Sequence, residues 1–147
     1  MDVIVMSRKD AIKYCHQPHS TAAVMISISD PYMQYASKPK PNPVSGVREV
    51  LYLAFCDADV PGRDVYGRNA KISDLMSEED AKRVAAFVKR NADKTIIVHC
   101  DAGISRSAGV AAAILKWATC DDNRIFKAGR YCPNMWAYRK TLEALMC

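Results

Sequence analysis

The stretch Ile97-Val98-His99-Cys100-Asp101-Ala102-Gly103-Ile104-Ser105-Arg106-Ser107-Ala108-Gly109 narrows the possible folds more than any other part of the chain. The β-branched run before Cys100 predicts a buried strand. Residues 107–118 are apolar nearly all round, which predicts a buried central helix and not a surface one. A cysteine opens the loop between them and an arginine closes it. That order suits the binding of a phosphate-like dianion. A helix N-terminus offers free N–H groups and partial positive charge. A loop whose amides turn inward makes an anion nest, and a guanidinium grips two oxygens at once. The same positive field favours the thiolate of Cys100, the nucleophilic form of a cysteine.

The rest of the chain reads as alternating strands and helices. Strands are predicted at Val3–Met6, residues 22–28, residues 47–55 and Thr95–His99. Ser7, with Asp10 three positions on, signals a helix through Tyr14. Ser77, followed by Glu78, Glu79 and Asp80, signals a second helix, with Lys89 and Arg90 near its end. A last helix is predicted at Met135–Met146. Residues 31–46 are proline-rich and aperiodic, a surface loop that is either a plain connector or a wall of a cleft. This interleaving predicts one α/β domain over residues 1–147. Its mostly parallel central β-sheet is flanked by helices, and the Cys-x5-Arg loop lies between strand and helix beyond the sheet's carboxyl edge.

Composition excludes several classes. Half of the 147 residues are apolar, yet no apolar run is long enough to span a bilayer. The opening MDVIVMSRKD lacks the layout of a signal peptide. Cysteines 15, 56, 100, 120, 132 and 147 show no close pairing, so reduced thiols and a cytoplasmic location are expected. The net charge of +5 is spread along the chain, and nucleic-acid binding is not expected. The three histidines, 16, 19 and 99, form no ligand pattern, so no metal and no cofactor are expected; His16-x-x-His19 reads as a surface turn around Pro18.

The string HCDAGISRSAGV resembles the signature of the cysteine-dependent protein tyrosine and dual-specificity phosphatases. The length and the late position of Cys100 are similar to the compact, dual-specificity-like branch. Tyr131-Cys132-Pro133-Asn134 and Tyr138 resemble small bacterial and viral members. The resemblance implies hydrolysis of phosphotyrosine, with phosphoserine and phosphothreonine also in range, on a phosphorylated protein or peptide. Cys100 would carry a phosphocysteine intermediate. The amides of Asp101, Ala102, Gly103, Ile104, Ser105 and Arg106, with the Arg106 guanidinium, would hold the phosphate. Ser107 would help the sulfur leave, and His99 would support the loop. The general acid would be Asp57, at the end of the third strand, with Asp59 as the alternative. The stretch from Asp57 to Cys100 is longer than the resemblance to compact relatives leads one to expect, the excess lying in residues 62–76. Asp101 is expected to face outward while its N–H faces in. Positions 101–105 hold no lysine or arginine, where relatives that take inositol lipids often carry basic residues. Other readings are a catalytically inactive module that binds phosphoproteins, or an RNA or lipid phosphatase of the same fold. Cys56, beside Asp57, reads either as a disulfide partner for Cys100 or as a plain buried thiol. Oligomeric state is not fixed by the sequence.

Overall fold

A parallel strand buried on both faces needs cover on both, and the two most apolar strands here receive it. The computed structural model describes residues 1–32 and 37–147. Four parallel strands run in the order β1 (Val3–Met6), β6 (Thr95–His99), β2 (Ala23–Ser29), β3 (Val47–Ala54). All seven residues of β2 are buried, as are four of the five in β6. Side chains alternate between the faces. Ala23, Met25 and Ile97 pack with Ala11 and Cys15 of helix α1 (Arg8–Cys15). Val24, Ile26, Ile28, Ile96 and Val98 pack against α2 (Glu78–Arg90), α3 (Arg106–Thr119) and α5 (Met135–Met146).

Local chemistry starts these helices where the sequence predicts. The Ser7 hydroxyl accepts from the Asp10 amide at 3.2 Å, and Ser77 and Asp80 cap α2 reciprocally. Helix α3 is buried from Arg106 to Leu115. At Gly109 it meets the cap of α5 so closely that an added Cβ would lie 2.4 Å from the Asn134 carbonyl oxygen. No described helix is long and apolar enough to cross a membrane.

Several short elements carry no signal in the sequence. Residues 62–76 contain a two-stranded antiparallel ribbon, β4 (Gly62–Arg63) with β5 (Asn69–Ala70). Strands of two residues carry no readable period. A single helical turn, α4 (Asn123–Phe126), follows α3. In the loop at 31–46, residues 33–36 lie outside the described residues; the remainder holds a 3-10 turn at Pro43–Ser45.

The Gly109 contact yields a test. Gly109→Ala gains helix propensity of about 1 kcal/mol, but its methyl group enters the Asn134 backbone. A net loss of roughly 1–3 kcal/mol is expected in urea unfolding.

Candidate active site

The carboxyl ends of β2, β3 and β6 converge. Ser27 of β2 is level with His99 of β6, and Ser29 with Ala54 of β3. The residues just beyond these ends, Asp30, Phe55 to Asp57 and Cys100, therefore share one edge of the sheet.

Cys100 leads into the loop 101–105. Three of the carbonyls of this loop are taken up from outside it. Asp101 O accepts from the Arg8 amide at 3.0 Å and Ile104 O from the Cys132 amide at 3.0 Å. Ser105 O accepts from the Asn134 and Gly109 amides, both at 2.9 Å. The N–H groups of residues 101–106 donate to no backbone or side-chain acceptor among the described residues. Carbonyls out and amides in is the arrangement of an anion nest. Gly103 is required twice over: its φ is +72°, and a Cβ there would strike the backbone of Met6 and Ser7 at 2.6–2.7 Å.

Arg106 opens α3 and is only 1% exposed. Its Nη1 donates to Asp30 Oδ1 at 2.8 Å and to Phe55 O at 2.9 Å. Its Nε is buried, has no hydrogen-bond partner among the described residues, and lies 4.0 Å from Asp57 Oδ2. One edge of the guanidinium is thus anchored while its Nε stays unpaired. Cys100 Sγ lies 3.1 Å from Ser107 Oγ. Asp57 Oδ1 accepts from Ser105 Oγ at 2.7 Å and from Asn134 Nδ2 at 2.8 Å. Cys100, Arg106 and Asp57 line one cleft of about 240 Å³, with Val65, Tyr66 and Ile104 among its other walls.

Solved structures share this fold. Human DUSP28 matches with a TM-score of 0.62 and 16% identity over 98% of this chain and 91% of that one. The human tyrosine phosphatase-like serine/threonine/tyrosine-interacting protein gives 0.62 and 18% over 96% and 89%. PTPMT1 in complex with PI(5)P gives 0.58 and 16% over 99% and 90%. The chain has the fold of the dual-specificity and tyrosine-phosphatase-like proteins. No protein-family model and no curated protein sequence matches it. At these identities the likeness is one of fold, and the chemistry rests on this chain's own residues.

Within this phosphatase-like fold the two aspartates offered as acid separate. Asp57 is buried and lines the Cys100 cleft. Asp59 is exposed and accepts from the Met135 amide at 2.8 Å, at the start of α5. Asp101 is exposed, paired with Arg8 at 3.7 Å, and accepts from the Tyr66 hydroxyl at 3.4 Å. Cys56 sits outside the cleft in a small apolar cluster with Ala58, Ala70 and Leu75, and burial, then the Asp74 charge, pushes its thiol up. Cys132 instead lines the cleft. His19 stacks on Tyr14 with ring centroids 3.6 Å apart.

Sequence reasoning missed two residues. Asp30, just past the second strand, carries no signal of a role in the sequence, and it is the carboxylate that anchors Arg106. Asn134 caps α5 through the Ala137 amide while its side-chain amide holds Asp57. An N-cap asparagine is visible in a sequence; that its other end reaches Asp57 is not.

His99 is fully buried beside the loop. A carbonyl can only accept, so Nδ1–H donates to Cys100 O at 2.9 Å, and Nε2 accepts from Ser27 Oγ at 2.6 Å. Burial lowers its pKa to about 4, with the Arg8 and Arg106 charges acting in the same direction and the Cys100 carbonyl against it. It is a neutral ring that fixes the loop's first carbonyl.

A depressed histidine pKa means the unfolded chain binds a proton that the folded chain refuses. This contribution is complete above pH 6.5 and is lost as pH falls towards about 4. It amounts to roughly 3 kcal/mol across that window. Urea midpoints of the unaltered protein should fall over this range, and His99→Gln should flatten that limb.

Proposed function

We propose that this chain is a phosphomonoester hydrolase that removes phosphate from phosphotyrosine in proteins through a phosphocysteine intermediate. The observation that carries this reading is the cleft itself. The Cys100 sulfur, the buried Arg106 guanidinium, the Asp57 carboxyl group and loop residues Ala102, Ile104 and Ser105, whose amides donate to no acceptor among the described residues, all border it.

Each has a task in the two displacements. The phosphate oxygens would sit on the amides of residues 101–106 and on Arg106. The Cys100 thiolate attacks phosphorus, the P–S bond forms and the P–O ester bond breaks. Asp57 gives its proton to the leaving oxygen. Water then attacks phosphorus, Asp57 takes a proton back, and the P–S bond breaks as the Ser107 hydroxyl hydrogen-bonds the departing sulfur. Inorganic phosphate leaves. The ground and transition states both gain from the nest, and the second gains more as charge spreads over three oxygens.

A phosphoprotein is favoured over a lipid headgroup. Arg106 is the sole cationic side chain lining the cleft among the described residues, and positions 101–105 bring no second one. A polyphosphorylated headgroup would leave its extra charges unmatched. The six cysteines, all unpaired, fit a reducing compartment such as the cytoplasm.

Phosphate release from phosphotyrosine peptides tests the reading directly. Cys100→Ser should abolish turnover while retaining phosphopeptide binding in a calorimeter; residual turnover near the original rate would remove the covalent route. Asp57→Asn should slow aryl esters with poor leaving groups on the order of 100-fold and those with good leaving groups far less. Asp59→Asn should leave that dependence on the leaving group as it is.

A further inference from the structure

The ribbon β4–β5 leans on the cleft at three points. Val65 N donates to Asp57 O at 2.9 Å, which ties its tip to the acid's own backbone. The Tyr66 hydroxyl reaches Asp101 on the phosphate loop at 3.4 Å. Arg68 Nη2 lies 3.5 Å from Asp30, the carboxylate that anchors Arg106.

The tip is also braced within itself. Asp64 Oδ1 accepts from the amides of Tyr66 and Arg68, both at 2.9 Å, and Oδ2 accepts from Arg68 Nε at 3.0 Å. Burial works against the charge of Asp64, but the Arg68 amide and guanidinium and the Tyr66 amide outweigh it and hold the carboxyl below its ordinary range. The Arg68 guanidinium lies 4.9 Å from the centroid of the Tyr66 ring and 5.3 Å from that of Tyr32.

A loop tip braced this firmly would be expected to turn its apolar side chains inward. This one does the reverse. Val65 is 63% exposed and Tyr66 51%, and both line the cleft that holds Cys100. Ile104, on the phosphate loop, adds a third apolar wall at 45% exposure. Rigid, exposed apolar surface at the mouth of an anion site is prepared for a ligand with an apolar stem.

We propose that Val65 and Tyr66 at the ribbon tip, with Ile104, form a slot for the aromatic ring of the phosphorylated residue and so select aryl over alkyl phosphomonoesters. The inference rests on the phosphatase reading and specifies its substrate class. A phosphotyrosine ring covers these walls and can stack on Tyr66. A phosphoserine brings one methylene group and leaves them wet. The difference in buried apolar surface corresponds to a preference on the order of tenfold to a hundredfold.

Phenylphosphonate and methylphosphonate test this without turnover, because neither has an ester bond to cleave. Their dissociation constants are measured by NMR titration of the unaltered protein and of Tyr66→Ala, Val65→Ala and Tyr66→Phe. The unaltered protein should bind the phenyl compound at least about tenfold more tightly. Both alanine variants should lose most of that ratio, and Tyr66→Phe should keep it. Equal affinity for the two ligands in the unaltered protein overturns the proposal, as does a ratio untouched by either alanine. A loss as large in Tyr66→Phe assigns the effect to the hydroxyl tie to Asp101 and also overturns it. The phosphatase reading fails separately: the phosphonates bind with the expected ratio but phosphotyrosine peptides release no phosphate.

Discussion

A guanidinium buried to 1% exposure is tolerable only when a carboxylate meets it, and everything about this site follows from where that carboxylate comes from. Asp30 binds Arg106 Nη1 and leaves Nε unpaired. The pair joins the end of β2, the strand next to the one that delivers Cys100, to the start of α3. The Phe55 carbonyl, beyond β3, completes the anchor. Without it the guanidinium would need water, and a site open to that much water would weaken every charge interaction within it.

The same economy governs the loop. Each carbonyl that faces outward has a donor waiting: Arg8 from α1, Cys132 and Asn134 from the segment before α5, and His99 from its own strand. The amides are left facing inward because the carbonyls are satisfied elsewhere. The loop's shape is therefore not a property of its own sequence alone. It is held by four residues from three parts of the chain, and Gly103 lets it press against the Met6 and Ser7 backbone without a side chain in the way. A neutral His99 costs nothing in charge so near Arg106; an imidazolium there would repel it.

Charge is balanced within a small volume. Asp30 serves two guanidiniums, Arg106 and Arg68, and so couples Arg106 to the ribbon. Asp57 is held by Ser105 and Asn134 on one oxygen, while the other faces Arg106. Asp57, Arg106 and the ribbon are thus linked through side chains that lie far apart along the chain.

The strand, loop and helix around Cys100, the two serine caps and the four sheet strands were all legible in the sequence. Those signals are local: an apolar period, a capping pair, a cysteine and an arginine at a fixed offset around a glycine. Tertiary structure alone selected Asp57 over Asp59 to line the cleft, made Asp30 the partner of Arg106, and turned residues 62–76 into a ribbon with Tyr66 at the cleft mouth. These depend on which strands lie side by side and in what register. A difference of two residues along a chain says little about which carboxylate turns inward, and pairings between residues 30 and 106 leave no mark on the sequence near either one.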